Sequence, residues 1–396
     1  VLASKDRREK PKGIMPMHAF DVAVIGAGIA GISLAAELAQ HGSVVVIERE
    51  EQPAYHTSGR SAALFATNNG NPVVRALSFA SEDFYRNPPD GFVEHPLLAP
   101  RGLLMIGRPD QCDALNAFQA GTGKGERLPK LDANQTRSKN PFLRADYGAS
   151  AVWDEMASDI DVHSLLQAYL KVFRRSGGTL LTKREVTALR KQSGGWEIVT
   201  GNGSIAAGIV VNAAGAWADA IAALAGVRPL GFRPMRRTAM IVDPPDEVSA
   251  MSPPLRDWPM TIDVDEQFYL KPEAGMLLLS PAEETPMPPQ DIQPDEIDIA
   301  ICIDRIQQAF DIDVRHVRRK WAGLRTFAPD RTPVAGYDPQ AQGFFWLAGQ
   351  GGYGYQTAPA LSRLAAALVR SLPVPQDIAA FGVAAADVAA DRFACT

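Results

Sequence analysis

The chain has 396 residues, more than one small core accommodates, so two domains are the expectation, and its 46% apolar and 21% charged residues are ordinary for a globular protein. The net charge of −5 comes with both signs interspersed; without a basic stripe, nucleic acid and anionic membrane surfaces are set aside as partners, and no apolar run is long enough to span a bilayer. Cys112, Cys302 and Cys395 are scattered and lack C-x-x-C spacing, which argues against a disulfide framework or a metal site and fits a reducing cytoplasm.

Residues 1–17 begin polar and basic, carry no hydrophobic stretch of a secretory signal, and read as a disordered extension ahead of a start at Met15 or Met17. Residues 21–25 form a short buried-strand pattern, 29–40 have helical apolar spacing, and 44–47 are a second apolar strand ending at Glu48. Between the first strand and the helix stand Gly26, Gly28 and Gly31 in the spacing G-x-G-x-x-G. Gly26 suits the tight turn, Gly28 has no Cβ to keep a pyrophosphate from the backbone, and Gly31 allows close helix–strand packing. The helix N-terminus offers free N–H groups and a positive dipole end, and Glu48 is placed to accept hydrogen bonds from a ribose. A lone motif of this kind is weak, but here it is flanked by two strands, opens a helix and is followed by the acid. It implies a dinucleotide and does not choose between NAD and FAD.

Further along, 55–70 is a Gly/Ser/Asn-rich loop, 72–86 a helix, and 88–149 a stretch broken by proline and charge with a short strand at 102–106. An amphipathic helix is expected over 161–175, with Asp159 or Asp161 near its start and Gly177-Gly178 after it. Short strands follow at 179–181, 185–189, 196–200 and 204–206, then a buried strand at 209–213, a turn at Gly215 and a helix over 216–225. Residues 229–320 give strands at 237–242, 268–271 and 276–279, a Pro/Glu-rich loop at 281–294 and a helix over 296–310; 343–370 return to strand, Gly-rich turn and helix. The dinucleotide-binding fold is therefore discontinuous: 18–88, 149–226 and 322–396 assemble it, and 89–148 with 227–321 form a substrate domain. The polar loop over 68–75 has the composition of a lid.

The segments Ser58-Gly59-Arg60-Ser61-Ala62-Ala63, Val210-Val211-Asn212-Ala213-Ala214-Gly215-Ala216-Trp217 and Gly349-Gln350-Gly351-Gly352-Tyr353-Gly354, together with the N-terminal glycines, resemble the D-amino acid oxidase-like flavoproteins, a family that includes glycine and sarcosine oxidases. Within it the resemblance is greatest to the bacterial D-arginine dehydrogenases, in phrases such as TSGRSAA, VNAAGAW and WAGLR, and runs from about residue 21 to 368. It implies an α/β Rossmann-like FAD-binding domain with an α+β substrate domain built on an antiparallel sheet, and oxidation of an amino acid at its α-carbon. It also implies non-covalent FAD, because the region where sarcosine oxidases carry their flavin-linking cysteine here reads Trp321-Ala322-Gly323-Leu324-Arg325.

The resemblance assigns FAD to Gly26, Gly28, Ile29, Ala30, Gly31, Glu48, Arg49, Arg60, Ser61, Ala63, Val186, Ala214, Gly215, Trp217, Gly351, Gly352, Tyr353, Gly354 and Gln356. The second Gly-rich turn presents backbone N–H groups where negative charge collects on a reduced flavin. For the substrate it assigns Arg237, Tyr269 and Arg325 to the carboxylate and the Gly352 carbonyl to the amine. Strand alternation lets only one of Arg236 and Arg237 point inward, and the resemblance selects Arg237. The six histidines form no cluster, and no acid–base residue is obligatory once the amine is neutral.

Where D-arginine dehydrogenases hold a glutamate for the guanidinium, this chain has Leu103; a histidine and a tyrosine of the loop are Leu64 and Asn69. A buried cation without its counter-charge costs about 3–5 kcal/mol. The expectation is therefore an apolar side-chain pocket lined by Leu64, Asn69, Leu103, Met260 and Ile262, with Glu94 or Asp263 as the alternative partner for a cation. The activity implied is oxidative deamination of D-amino acids with neutral side chains: hydride leaves Cα for the flavin and water hydrolyses the imine to a 2-oxo acid and ammonia. A glycine, sarcosine, secondary-amine or imino-acid oxidase is the alternative, a catalytically silent flavoprotein subunit a reading of another class, and NAD-dependent dehydrogenation would leave the second Gly-rich turn without a role. Either O2 or a quinone-type carrier would accept the electrons, in a bacterial cytoplasm.

Overall fold

The computed structural model describes residues 19–122, 128–250 and 252–393; the extension expected at 1–17 and Cys395 lie outside them. Ala19–Ile25, Val44–Ile47, Thr179–Leu181, the C-terminal half of Gly203–Asn212 and Phe344–Ala348 pair in parallel in an eight-stranded sheet, completed by the antiparallel hairpin Val186–Gln192/Gly195–Thr200 and by Val334–Tyr337. Parallel strands buried on both faces need continuous apolar runs, and AVI, VVVI, VV and FFWLA supply them. Helices Ile29–Leu38, Pro72–Arg86, Val162–Arg175 and Gly354–Val369 cover one face. Asn71 and Asp161 cap two of them by accepting from the Val74 and Ser164 N–H groups.

A second, nine-stranded sheet is mainly antiparallel and runs in the order Thr285–Pro286, Arg233–Val242, Met276–Ser280, Tyr269–Glu273, Met260–Asp263, Leu103–Gly107, Ser150–Asp154, Lys130–Asp132, with Val317–Phe327 on the other side of Arg233–Val242. Alternation sorts its side chains. Leu104, Ile106, Met240 and Val242 face the helix Glu296–Ala309, whereas Leu103, Met105, Ala239, Met260, Ile262 and Tyr269 form the opposite face. Ser150–Asp154 and all of Val317–Phe327 thus pair in this second sheet, although 149–226 and 322–396 are grouped with the dinucleotide unit by sequence.

Other departures are local. Helix 29–40 stops at Leu38. The strands expected at 204–206 and 209–213 are one, Gly203–Asn212, and the helix expected from 216 starts as a 3-10 turn at Gly215–Trp217 before Ala218–Leu224. Helices Cys112–Gly121 and Ala133–Lys139 occupy a stretch that reads as proline-broken, the second capped reciprocally by Asp132 and Gln135. Val317–Phe327 is invisible to periodicity because Arg318, Arg319 and Lys320 are consecutive exposed charges on its outer half.

Candidate active site

Three cavities lie in a row between the sheets. The first, about 980 Å3, is lined by Gly26, Gly28, Glu48, Arg49, Val186, Ala214, Gly215 and Trp217. The second, about 590 Å3, shares Thr57 and Ser58 with it and adds Ile29, Arg60, Ser61, Gly351, Gly352 and Gly354. The third, about 860 Å3, takes in Ala63, Leu64, Asn69, Met260, Ile262, Tyr353 and Gln356. Arg237, Tyr269, Arg325 and Gly352 line both the second and the third. Ala30, Gly31 and Leu103 line none of the three. Leu103 sits in the core two residues before Met105 on the same strand face, and Met105 does reach the cavity.

The first two cavities fit a flavin dinucleotide. Gly26 adopts φ +104° and a Cβ there would come 2.5 Å from the Ala213 carbonyl oxygen; a Cβ on Gly31 would come 2.0 Å from the Gly26 oxygen. The helix start is thereby pressed to the cleft wall. Glu48 Oε2 accepts from the Ala27 N–H at 2.8 Å and Oε1 from the Glu50 N–H at 2.9 Å, so its carboxylate is fixed at the cleft with lone pairs to spare. Ser58, which belongs to a family-like segment but is not among the residues assigned to FAD, accepts from the Ile29 N–H at 3.0 Å. The Arg49 guanidinium lies 4.0 Å above the Trp217 ring and bonds Glu50, building the outer rim. Of the two cysteines among the described residues, Cys112 and Cys302, neither lines a cavity of this row. Gln356 has both side-chain ends engaged, accepting from the Ala66 N–H and donating to Ser78 Oγ, and so anchors its helix to the 62–66 segment.

Around the third cavity the charges are arranged unequally. Arg236 and Arg237 lie on opposite faces of their strand: Arg236 donates to Asp298 at 2.7 Å and Asp295 at 3.4 Å on the helix side, and Arg237, 7% exposed, faces the cavity. Arg237 donates to Glu284 Oε1 at 3.3 Å and lies 3.9 Å from Glu266. Burial, then the adjacent charge of Arg325, pulls the Arg237 guanidinium below its ordinary value. Arg331 grips Glu284 with two parallel bonds, 2.9 Å to Oε2 and 2.8 Å to Oε1, and stacks 3.9 Å over the Phe327 ring. Burial pushes the Glu284 carboxyl up, but the Arg331 bonds and the three guanidinium charges outweigh it and hold it below its usual range. The Arg325 guanidinium makes neither hydrogen bond nor ion pair among the described residues; it lies against Gly352, where a Cβ would be 3.0 Å from Nη1.

Glu266, Glu284, Arg331, Met105 and Phe327 are lining residues that sequence patterns do not expose. Glu266, Ala282 and Arg331, three of the seven non-glycine residues with left-handed φ among the described residues, line this cavity. The pocket expected to be apolar has apolar walls at Leu64, Met105, Met260 and Ile262 but a charged end. The alternatives for pairing a cation do not serve it. Asp263 is fully buried and takes bonds from Gln111 and Tyr147, and Glu94 does not line the cavity.

A family model, DAO, described as FAD-dependent oxidoreductase, matches residues 21–368. Glycine oxidase of Geobacillus kaustophilus is 26% identical over 382 residues, covering 92% of this chain and 97% of that protein. Its crystal structure, with 92% of this chain and 98% of that one covered, superposes with a TM-score of 0.74 at 22% identity. Human dimethylglycine dehydrogenase is 25% identical over 84% of this chain, which spans 40% of that longer protein. L-proline dehydrogenase from P. horikoshii shares the fold, with a TM-score of 0.78 at 20% identity over 96% of this chain and 99% of that one. The similarity thus runs to glycine oxidase and dimethylglycine dehydrogenase rather than specifically to D-arginine dehydrogenases. No helix among the described residues is long and apolar enough to cross a membrane.

Proposed function

The chain belongs to the DAO family of FAD-dependent oxidoreductases, and on that premise we propose that it oxidises the bond between nitrogen and α-carbon in a small amine bearing one carboxylate, a glycine or N-substituted glycine. Bound FAD supplies the acceptor for the electrons and hydrogen that leave the α-carbon. The rest is orientation by this chain's own residues.

The observation that carries the reading is the single uncompensated guanidinium. Arg237, Arg325 and Arg331 face Glu266 and Glu284 across one cavity, and Glu284 is shared by Arg237 and Arg331. Arg325 is left to receive the charge the protein does not supply, one substrate carboxylate, with Tyr269 lining the same two cavities. Arg237 lines the same two cavities and adds positive potential there. The Gly352 carbonyl accepts from the amine, and the close packing of Gly352 on Arg325 ties the two recognition points together. Similarity to proteins called glycine oxidase and dimethylglycine dehydrogenase supports an amine of this kind. The apolar walls Leu64, Met105, Met260 and Ile262 favour a second reading, a primary D-amino acid with a neutral side chain, over D-arginine. The neutral amine yields an imine, which water hydrolyses.

Anaerobic bleaching of the flavin absorbance discriminates them. Glycine, N-methylglycine, D-alanine, D-leucine, D-arginine and the L-enantiomers are offered in turn. Reduction by glycine or N-methylglycine at rates above those of D-leucine is expected; faster D-leucine establishes the second reading, and D-arginine as the best reductant, or no reduction by any of them, refutes both.

A further inference from the structure

Resting on the reading of Arg325 as the carboxylate dock, we propose that Glu284 is a specificity-determining residue: it masks a second anion site made by Arg237 and Arg331 and so excludes amines that carry two carboxylates.

The masking is visible in the geometry. A carboxylate between two guanidinium groups, bidentate to one and hydrogen-bonded to the other, is the arrangement a substrate carboxylate would itself make. Here the protein provides it from residue 284, in the segment between Met276–Ser280 and the short strand Thr285–Pro286. The backbone carrying each guanidinium is held independently of Glu284, and the Arg331 head group is also stacked on Phe327. Arg237 is fixed in its strand by pairing with Gly323, and Arg331 by its backbone bond to the Ala328 carbonyl. Removing the charge at 284 therefore leaves two cations on anchored backbone lining the same cavity as Arg325, with Glu266, 59% exposed and 3.9 Å from Arg237, as the remaining carboxylate. A ligand with a second carboxylate then meets an attractive site. In the native protein it meets Glu284 on guanidiniums already satisfied, which is discrimination by a repulsive element.

The test is calorimetric titration of FAD-loaded protein with unreactive carboxylates: acetate, malonate and succinate. The native protein binds acetate at least as tightly as either diacid. In Glu284→Gln, malonate or succinate tightens by about tenfold or more while acetate stays within about threefold. The double variant Glu284→Gln with Arg331→Met loses that gain. A native preference for a diacid over acetate overturns the proposal without recourse to any variant, as does a Glu284→Gln protein in which diacids gain no more than acetate. Should Glu284→Gln not hold FAD, Glu284→Ala takes its place with the same outcomes, and loss of FAD by both overturns the masking role in favour of a structural one. Arg325→Met separates this inference from its premise. Undiminished acetate binding in that variant sinks the carboxylate dock, whereas lost acetate binding with unresponsive diacids at Glu284→Gln sinks the mask alone.

Discussion

Glu284 bonds two guanidiniums and feels the charge of a third, and its ionisation contributes to folding as well as to selectivity. Its carboxyl is held below the ordinary value of 4.5 by Arg331, Arg237 and Arg325 against the opposing effect of burial. A group whose folded value is depressed contributes stability that is fully present above its unfolded value and lost as pH falls through the folded one. The difference in Tm between the native protein and Glu284→Gln should therefore be largest at neutral pH and shrink steadily as pH drops below 4.5, a comparison made by thermal melts from pH 7 down to the limit of solubility. A Tm difference that grows on acidification refutes the assignment. Arg237, Tyr269, Arg325 and Gly352 are each nameable from short segments of sequence, because those segments match a family phrase. The pairing of Glu284 with Arg331 is not, since it joins two loops whose approach depends on the whole sheet and on left-handed backbone at Arg331.

The helix Gly354–Val369 shows the same division at the scale of an element. Its glycine-rich start and apolar faces are legible, and so is Pro359 inside it. Proline has no N–H, so the Tyr355 carbonyl four residues earlier loses its helical donor. The remedy comes from another helix: Tyr85 Oη, in a residue 1% exposed, donates to that carbonyl at 2.5 Å, and Ser81 Oγ accepts from the Ala360 N–H at 3.1 Å. Burial raises the Tyr85 phenol well above its usual value and keeps it protonated as a donor. Tyr85→Phe strands a buried carbonyl at a cost of about 1–3 kcal/mol. The expected result is a lower Tm for Tyr85→Phe, with the KM for the best substrate of the panel unchanged; an unaltered Tm means water or a helix adjustment satisfies Tyr355. Nothing in the local sequence around Pro359 announces a partner 270 residues away.

At the scale of the molecule many strands and helices follow from patterns of two and of 3.6 residues, but the sheet membership of Ser150–Asp154 and Val317–Phe327 does not, and the cavity row is a property of how the two large sheets meet. The turn Thr57–Arg60 makes that junction: Thr57 Oγ1 donates to the Leu324 carbonyl at 2.7 Å, Arg60 Nη1 to the Ala322 carbonyl at 2.9 Å, and Trp321 Nε1 to the Arg60 carbonyl at 3.0 Å. These few bonds tie the strand bearing Arg325 to the segment that walls the dinucleotide cleft. FAD held in the first two cavities would touch residues on both sides of this seam and so add to the connection, as well as accept electrons. A ligand that binds only the folded chain adds RT ln(1 + [L]/Kd), about 2.7 kcal/mol at a hundredfold excess over Kd. Stripping FAD should lower Tm, and titrating it back should raise Tm with the logarithm of its concentration. Because the junction bonds belong to residues that also wall the cavities, the stripped protein should lose acetate binding at Arg325 in parallel. A stripped protein that melts at the same temperature and binds acetate as before would show that the sheets hold the site without their cofactor.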